Sequence, residues 1–134
     1  MPKQSVIGIV EHQGLVALVR NQADDPGKLA GKLHLPGGGI EPEESTYTAA
    51  VREIYEETGL EVIPKKFLSF QVTEKGTHVK WYSCQLTREQ QNTPQLKAGV
   101  EEAEALWAAR EEVTKTCAQA AKYWPQPVKE YLNR

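Results

Sequence analysis

The chain has 134 residues, 40% of them hydrophobic and 25% charged, with a formal net charge of −2. That length suits one domain around one core, and so small a charge gives no electrostatic basis for binding nucleic acid or a membrane surface. The cysteines, Cys84 and Cys117, form neither a CxxC pair nor part of a Cys/His cluster, so they read as buried, reduced thiols rather than zinc ligands.

The N-terminal stretch has no long apolar run, because Glu11 interrupts it early. Neither a signal peptide nor a membrane span is expected there, and the expected location is cytoplasmic. "SVIGIVEH" and "LVALVRN" are short β-rich runs either side of Gln13 and Gly14, the pattern of a hairpin. "NQADDPGKLAGK" is polar and punctuated by Gly and Pro, as loops are. "LHLP" reads as a short strand running into Gly37, Gly38 and Gly39. These glycines permit positive φ and close backbone approach. Ser45 or Thr46 can cap a helix that runs to about Thr58, where Gly59 occupies the position of a left-handed C-cap. "LEVIPKKFLSFQVTE" and "HVKWYSCQLT" read as two strands around a turn at Lys75 and Gly76. Residues 88–100 read as a polar loop, "EALWAA" as a short strand, "REEVTKTCAQAAKYW" as a helix, and "PVKEYLNR" as a C-terminal turn or helix. No repeat or linker divides the chain, so residues 1–134 form a single domain with a sheet flanked by helices, of α/β or α+β class.

On a helical wheel Tyr47, Ala50, Ile54 and Thr58 share the face expected to pack on the sheet. Glu53, Glu56 and Glu57 fall within a different arc, at spacings i, i+3 and i+4. Like charges so placed destabilise a helix by a few tenths of a kcal/mol per pair, on the order of 0.2–0.5. A solvated acidic face is one reading. A metal site is the other: clustered carboxylates suit hard cations, and Mg²⁺ is commonly held by carboxylates together with substrate phosphates. The glycine run is neither a Walker motif nor a dinucleotide fingerprint, because no Gly-Lys-Ser/Thr follows and the GxGxxG spacing fails at Pro42.

These residues resemble the Nudix hydrolase family. Gly38, five residues, Glu44, seven residues, then Arg52-Glu53-Ile54-Tyr55-Glu56-Glu57-Thr58-Gly59-Leu60 match the Nudix box at every defined position. Looser similarity runs from the first strand to about Val113, and the C-terminal remainder shows no family signal. The resemblance implies the Nudix fold, an α/β/α sandwich with a mixed sheet. It also implies hydrolysis, dependent on Mg²⁺ or Mn²⁺, of a nucleoside diphosphate linked to another moiety, by a monomer or homodimer. It makes Glu56 and Glu57 metal ligands, and Glu53 a further ligand or the group that handles the water proton. Arg52 orients the carboxylates, Glu44 is an indirect or secondary metal contact, and Gly37, Gly38 and Gly39 face the substrate. Family members often add a carboxylate several residues before a tryptophan. Glu101, six residues before Trp107, is the expected one, with Glu102 and Glu104 as rivals.

Leu33 stands where many members have Trp. Markers of the ADP-ribose, dinucleoside-polyphosphate and NADH types are absent from the segment after the box. Elimination leaves a mutator-type pyrophosphohydrolase of (d)NTPs or similar small nucleotides, with an ADP-ribose or nucleotide-sugar pyrophosphatase as the alternative. Arg20, at the end of a strand ahead of the loop, is a candidate phosphate contact. Of Trp81 and Tyr82, only one faces the core, and the other is a candidate for stacking on a base. Two other classes remain: a Nudix-fold module that binds a nucleotide without cleaving it, and a calcium-binding acidic helix.

Overall fold

The computed structural model describes residues 2–134. Strands β1 (Gln4–His12) and β2 (Leu15–Asn21) form the expected hairpin. Gln13 and Gly14 both take positive φ (51° and 80°), the tight turn that matches the twist of a two-residue hairpin. β3 (Leu33–His34) pairs with Val19 and Arg20 of β2, further along the edge whose start pairs with β1. Strands β5 (Val62–Val72) and β6 (His78–Leu86) pair antiparallel around a turn in which Thr73 N–H donates to the Thr77 carbonyl. β6 runs parallel to β1, whereas the other pairings are antiparallel, so the sheet is mixed, in the order β3-β2-β1-β6-β5. β4 (Gly37–Gly39) pairs with the first half of β1, and β7 (Glu102–Ala109) pairs along β2.

Alternation along the strands supplies both faces of the sandwich. Ile9, Val16, Leu18, Val79 and Trp81 face the C-terminal helices and bury Val113, Cys117, Trp124 and Val128. Val10, Ala17, Val62, Cys84 and Leu86 face helix α1 (Thr46–Thr58) and bury its Ile54. The close seat of α1 depends on Gly8, because a Cβ there would strike Ile54 Cδ1. Truncating the fully buried Ile54 to Ala would cost about 2–5 kcal/mol.

The capping of α1 follows its sequence. Ser45 Oγ accepts from Thr48 N–H at 3.0 Å, and Gly59 closes the helix at φ 74° with its N–H on the Tyr55 carbonyl. Its packed face is Ala49, Ala50, Ile54 and Thr58, not the expected set with Tyr47, which is 54% exposed in the first turn of the helix. Two other segments differ from expectation. The polar stretch after β6 holds a one-turn helix, α2 (Arg88–Asn92), seeded by Gln90 and Gln91 N–H donating to the Thr87 carbonyl. The single helix expected over 110–124 is a 3₁₀ turn followed by α3 (Val113–Thr116) and α4 (Ala118–Ala121), because Cys117 leaves helical geometry at ψ 34°. Helix α5 (Gln126–Leu132) starts after Pro125 and is tied back by Arg110, Glu11 and Tyr131. No helix among the described residues is long and apolar enough to cross a membrane.

Candidate active site

Arg52 organises the acidic face of α1. Its Nε and Nη2 donate to both carboxylate oxygens of Glu44 at 2.7 and 2.8 Å, and Nη1 donates to Glu53 at 2.8 Å and reaches Glu56 at 3.4 Å. Nη2 also donates to the Gly39 carbonyl at 3.0 Å. A planar fork with five N–H donors can serve these partners together, whereas an ammonium cannot. The paired guanidinium lowers the Glu44 carboxyl to about 2, aided by the Glu41 N–H, and the carboxylates raise Arg52 in return. Glu44 is therefore the anchor that holds Arg52 in place.

The three glycines form strand β4 rather than an open loop. None has positive φ, so the need for glycine there is steric and not conformational. A Cβ at Gly37 would run into the Val6 carbonyl, and one at Gly38 would overlap the Glu53 carboxylate. Bare backbone lets α1 press its glutamates onto the sheet edge. There the Gly37 N–H donates to Glu57 Oε1 at 3.2 Å.

The third wall is the loop before β7. Lys97 N–H and Gly99 N–H donate to the Thr58 and Glu57 carbonyls, satisfying the otherwise orphaned end of α1. Gly99 sits so tightly that a Cβ would strike the Glu56 carbonyl and lie 2.6 Å from Glu102 Oε1. The result is a pocket of about 500 Å³ bordered by Glu53, Glu56, Glu57, Glu101 and Glu102. Burial raises the Glu57 carboxyl to about 8 against the opposing pull of the Gly37 N–H, with Glu102, Glu53 and Glu56 adding repulsion. Burial likewise raises Glu53, partly offset by Arg52, and raises Glu102, which also feels Glu101, Glu53 and Glu56.

An all-oxygen set under mutual repulsion, with its one neighbouring guanidinium already engaged, suits a hard divalent cation. Glu53, Glu56, Glu57 and Glu102 are the residues that could hold one. As the side chains lie, no three such donors among the described residues enclose a point in space. Arg52 draws the Glu53 carboxylate to itself and Gly37 draws that of Glu57.

Of the three candidates before Trp107, Glu102 couples electrostatically to Glu53 and Glu57, Glu101 borders the same pocket, and Glu104 is paired with Arg20 at 3.0 Å. Arg20 also donates to the Gly31 carbonyl and borders a separate cleft with Leu33 and Gln119. The structure thus does not bring Arg20 to the glutamates. Trp81 faces the core, 2% exposed, while Tyr82 lies on the α1 side against Phe67.

A second feature is built from segments that no sequence motif connects. A cavity of about 520 Å³ opens between the β2–β3 loop, the β5–β6 turn and Tyr123, bordered by Asn21, Lys28, Leu29 and Gln71. A recess of about 160 Å³ shares Leu29, Gln71, Thr73 and Tyr123 with it and reaches Ile7, His34, Leu35 and Trp81. Two backbone links tie this cavity to the acidic pocket. Ile7 is the strand partner of Gly37, and Asn21 is the strand partner of Glu102.

A NUDIX domain family model matches residues 1–129, extending past the limit near Val113 that the sequence suggested. A Caenorhabditis elegans protein whose name places it among the nudix hydrolases is 32% identical over 87 residues, 58% of this chain. The match spans 24% of that relative's length. A NUDIX hydrolase from Nitrosomonas europaea superposes with a TM-score of 0.78 at 20% identity, covering 98% of this chain and 70% of that one. The MutT protein from Methanosarcina mazei Go1 superposes with a TM-score of 0.74 at 24% identity, covering 97% and 96% of the two chains. At these identities the two structures speak to the shared fold, and the family match over almost the whole sequence carries the assignment: the chain belongs to the NUDIX domain family.

Proposed function

We propose that this chain is a metal-dependent pyrophosphohydrolase of small nucleotides, with (d)NTPs as its substrates. The observation that carries this reading is the convergence of Glu53, Glu56 and Glu57 with Glu102 on one pocket beside bare glycine backbone. Glu102 replaces Glu101 as the proposed distal ligand, because its carboxylate is the one coupled to Glu53 and Glu57. Bound there, Mg²⁺ or Mn²⁺ would neutralise diphosphate charge and lower the pKa of a water.

The protein's own groups do the rest. Glu44 fixes Arg52, and Arg52 fixes the Glu53 carboxylate at 2.8 Å. Gly38 leaves the space that this carboxylate occupies. Burial raises the Glu53 and Glu57 carboxyls, the direction that makes a carboxylate a better proton acceptor. The moiety attached to the diphosphate extends past the Asn21–Glu102 strand pair into the neighbouring cavity, whose apolar walls suit a ring.

The test is hydrolysis of (d)NTPs, ADP-ribose, NADH, dinucleoside polyphosphates and nucleotide sugars with Mg²⁺, with products identified. A kcat/KM about tenfold higher for ADP-ribose or a nucleotide sugar than for every (d)NTP, roughly 1.4 kcal/mol, would overturn the substrate class. Micromolar nucleotide binding with no turnover would make the chain a binding module.

A further inference from the structure

Between the cavity beside the acidic pocket and its recess lies a half-buried polar pair that the proposed chemistry does not use. His34 Nδ1 lies 2.7 Å from the Leu35 carbonyl oxygen, and Nε2 lies 2.6 Å from the side-chain amide of Asn21, at the atom placed as Oδ1. Two oxygens at those distances demand two N–H donors, which only an imidazolium has. Among the described residues no carboxylate is hydrogen-bonded to the ring to support that charge, and burial disfavours it more than the Leu35 carbonyl and Asp25 favour it. A neutral ring can satisfy just one of the two contacts by donating. The Leu35 carbonyl is a fixed acceptor, so Nδ1 carries the hydrogen and Nε2 is an acceptor. Asn21 must then present its NH₂ group to Nε2, which a half-turn of the amide achieves without moving another atom. The amide oxygen now takes the opposite place. The contact with His34 is the one hydrogen bond of the Asn21 side chain among the described residues, and Asn21 borders the larger cavity.

We propose that Asn21 directs its amide oxygen into the cavity as a hydrogen-bond acceptor that selects rings bearing an exocyclic amino group. The specificity rests on the hydrolase reading given above, whereas the orientation of Asn21 does not. Its backbone is held by Asn21 N–H donating to the Lys32 carbonyl and by pairing with Glu102, so the acceptor is presented from a strand rather than a free loop. An amino group opposite this oxygen gains a hydrogen bond, and a carbonyl in its place meets lone pair against lone pair. Gln71 does not compete for the role, since its oxygen accepts from Trp81 Nε1 and its nitrogen donates to the Tyr123 carbonyl.

Two measurements test this. The first compares kcat/KM with Mg²⁺ for pairs that differ at one substituent: dCTP with dUTP, dATP with dITP, and dGTP with dITP. The wild-type chain should prefer the amino-bearing member of at least one pair by about tenfold, the scale of one such hydrogen bond. Asn21→Leu should bring that ratio within about twofold while the amino-lacking nucleotide is still turned over. A ratio that the variant leaves intact, or no preference in any pair, overturns the inference and leaves the hydrolase reading standing. The second is ¹⁵N NMR of the His34 ring in the wild-type chain at pH 7 without nucleotide. A neutral Nδ1–H tautomer supports the assignment. A proton on Nε2, alone or with one on Nδ1, overturns it. This readout decides the orientation of Asn21 even if no nucleotide is hydrolysed or the variant does not fold.

Discussion

Removing metal should make the stability of this protein fall as pH rises, and Glu57 is the residue that makes it do so. Its carboxyl is raised to about 8 in the folded chain from an ordinary 4.5. The folded state therefore binds more protons than the unfolded state between those values, and stability declines with pH across that window. The contribution is complete below about 4.5 and is lost as pH passes through about 8. Between pH 6.5 and 8.5 the folded carboxyl loses its proton while the unfolded one is ionised throughout, which costs about 2 kcal/mol. Glu53 and Glu102, also raised, act in the same direction. Two groups with opposite shifts act below pH 6.5, outside the 6.5–8.5 range compared. Glu44, lowered to about 2, loses its contribution only in acid, and His34, lowered from 6.5, affects stability below that value. Urea unfolding of EDTA-treated protein should show the decline, and Glu57→Gln should remove most of it. Added Mg²⁺ should stabilise more at pH 8.5 than at 6.5, because the ionised carboxylate is the ligand. Equal pH slopes in the wild type and in Glu57→Gln would refute the reasoning.

Gly38→Ala should lower kcat about 100-fold, because the added Cβ takes the place of the Glu53 carboxylate. Its melting temperature should move by only about 3 °C, since the flexible end of Glu53 can swing aside. Glu102→Gln should reduce kcat/KM by at least about tenfold, whereas Glu104→Gln, which only releases Arg20, should stay within about twofold, roughly 0.4 kcal/mol. Comparable losses in both would remove Glu102 from the site. Arg52→Lys should cost about 10- to 100-fold in kcat, because an ammonium cannot hold Glu44, Glu53 and the Gly39 carbonyl together. Wild-type activity in that variant would show that the carboxylates need no such anchor.

The parts of this molecule governed by local rules were readable in the sequence. Ser45 and Gly59 bracket α1 because caps act over three or four residues, and the Gln13–Gly14 turn and the alternation of Ile9 with Val10 follow from equally short-range geometry. The acidic arc of Glu53, Glu56 and Glu57 is likewise a property of one helix. What was not legible depends on elements distant in the chain. Gly37 and Gly38 look like flexible loop glycines until β1 and α1 are seen to occupy the space their side chains would need. Spacing to Trp107 favours Glu101 over its near neighbours Glu102 and Glu104. Glu102 is set apart only once Arg20 on β2 claims Glu104 and the Gly99 turn sets Glu102 beside α1. The cavity is assembled from a loop, a β-turn and Tyr123, which no periodicity connects.

In the proposed reaction the pocket of Glu53, Glu56, Glu57 and Glu102 works with a divalent cation on a nucleotide diphosphate. Steady-state hydrolysis of the best (d)NTP tests it most directly, run with Mg²⁺, with EDTA in excess, and with Mg²⁺ for a folded Glu57→Gln variant. Full turnover is expected for the wild type with Mg²⁺, with EDTA abolishing it and the variant reduced by at least about 100-fold, or roughly 2.7 kcal/mol of transition-state stabilisation. Undiminished turnover in EDTA, or near-wild-type turnover by Glu57→Gln, would contradict it.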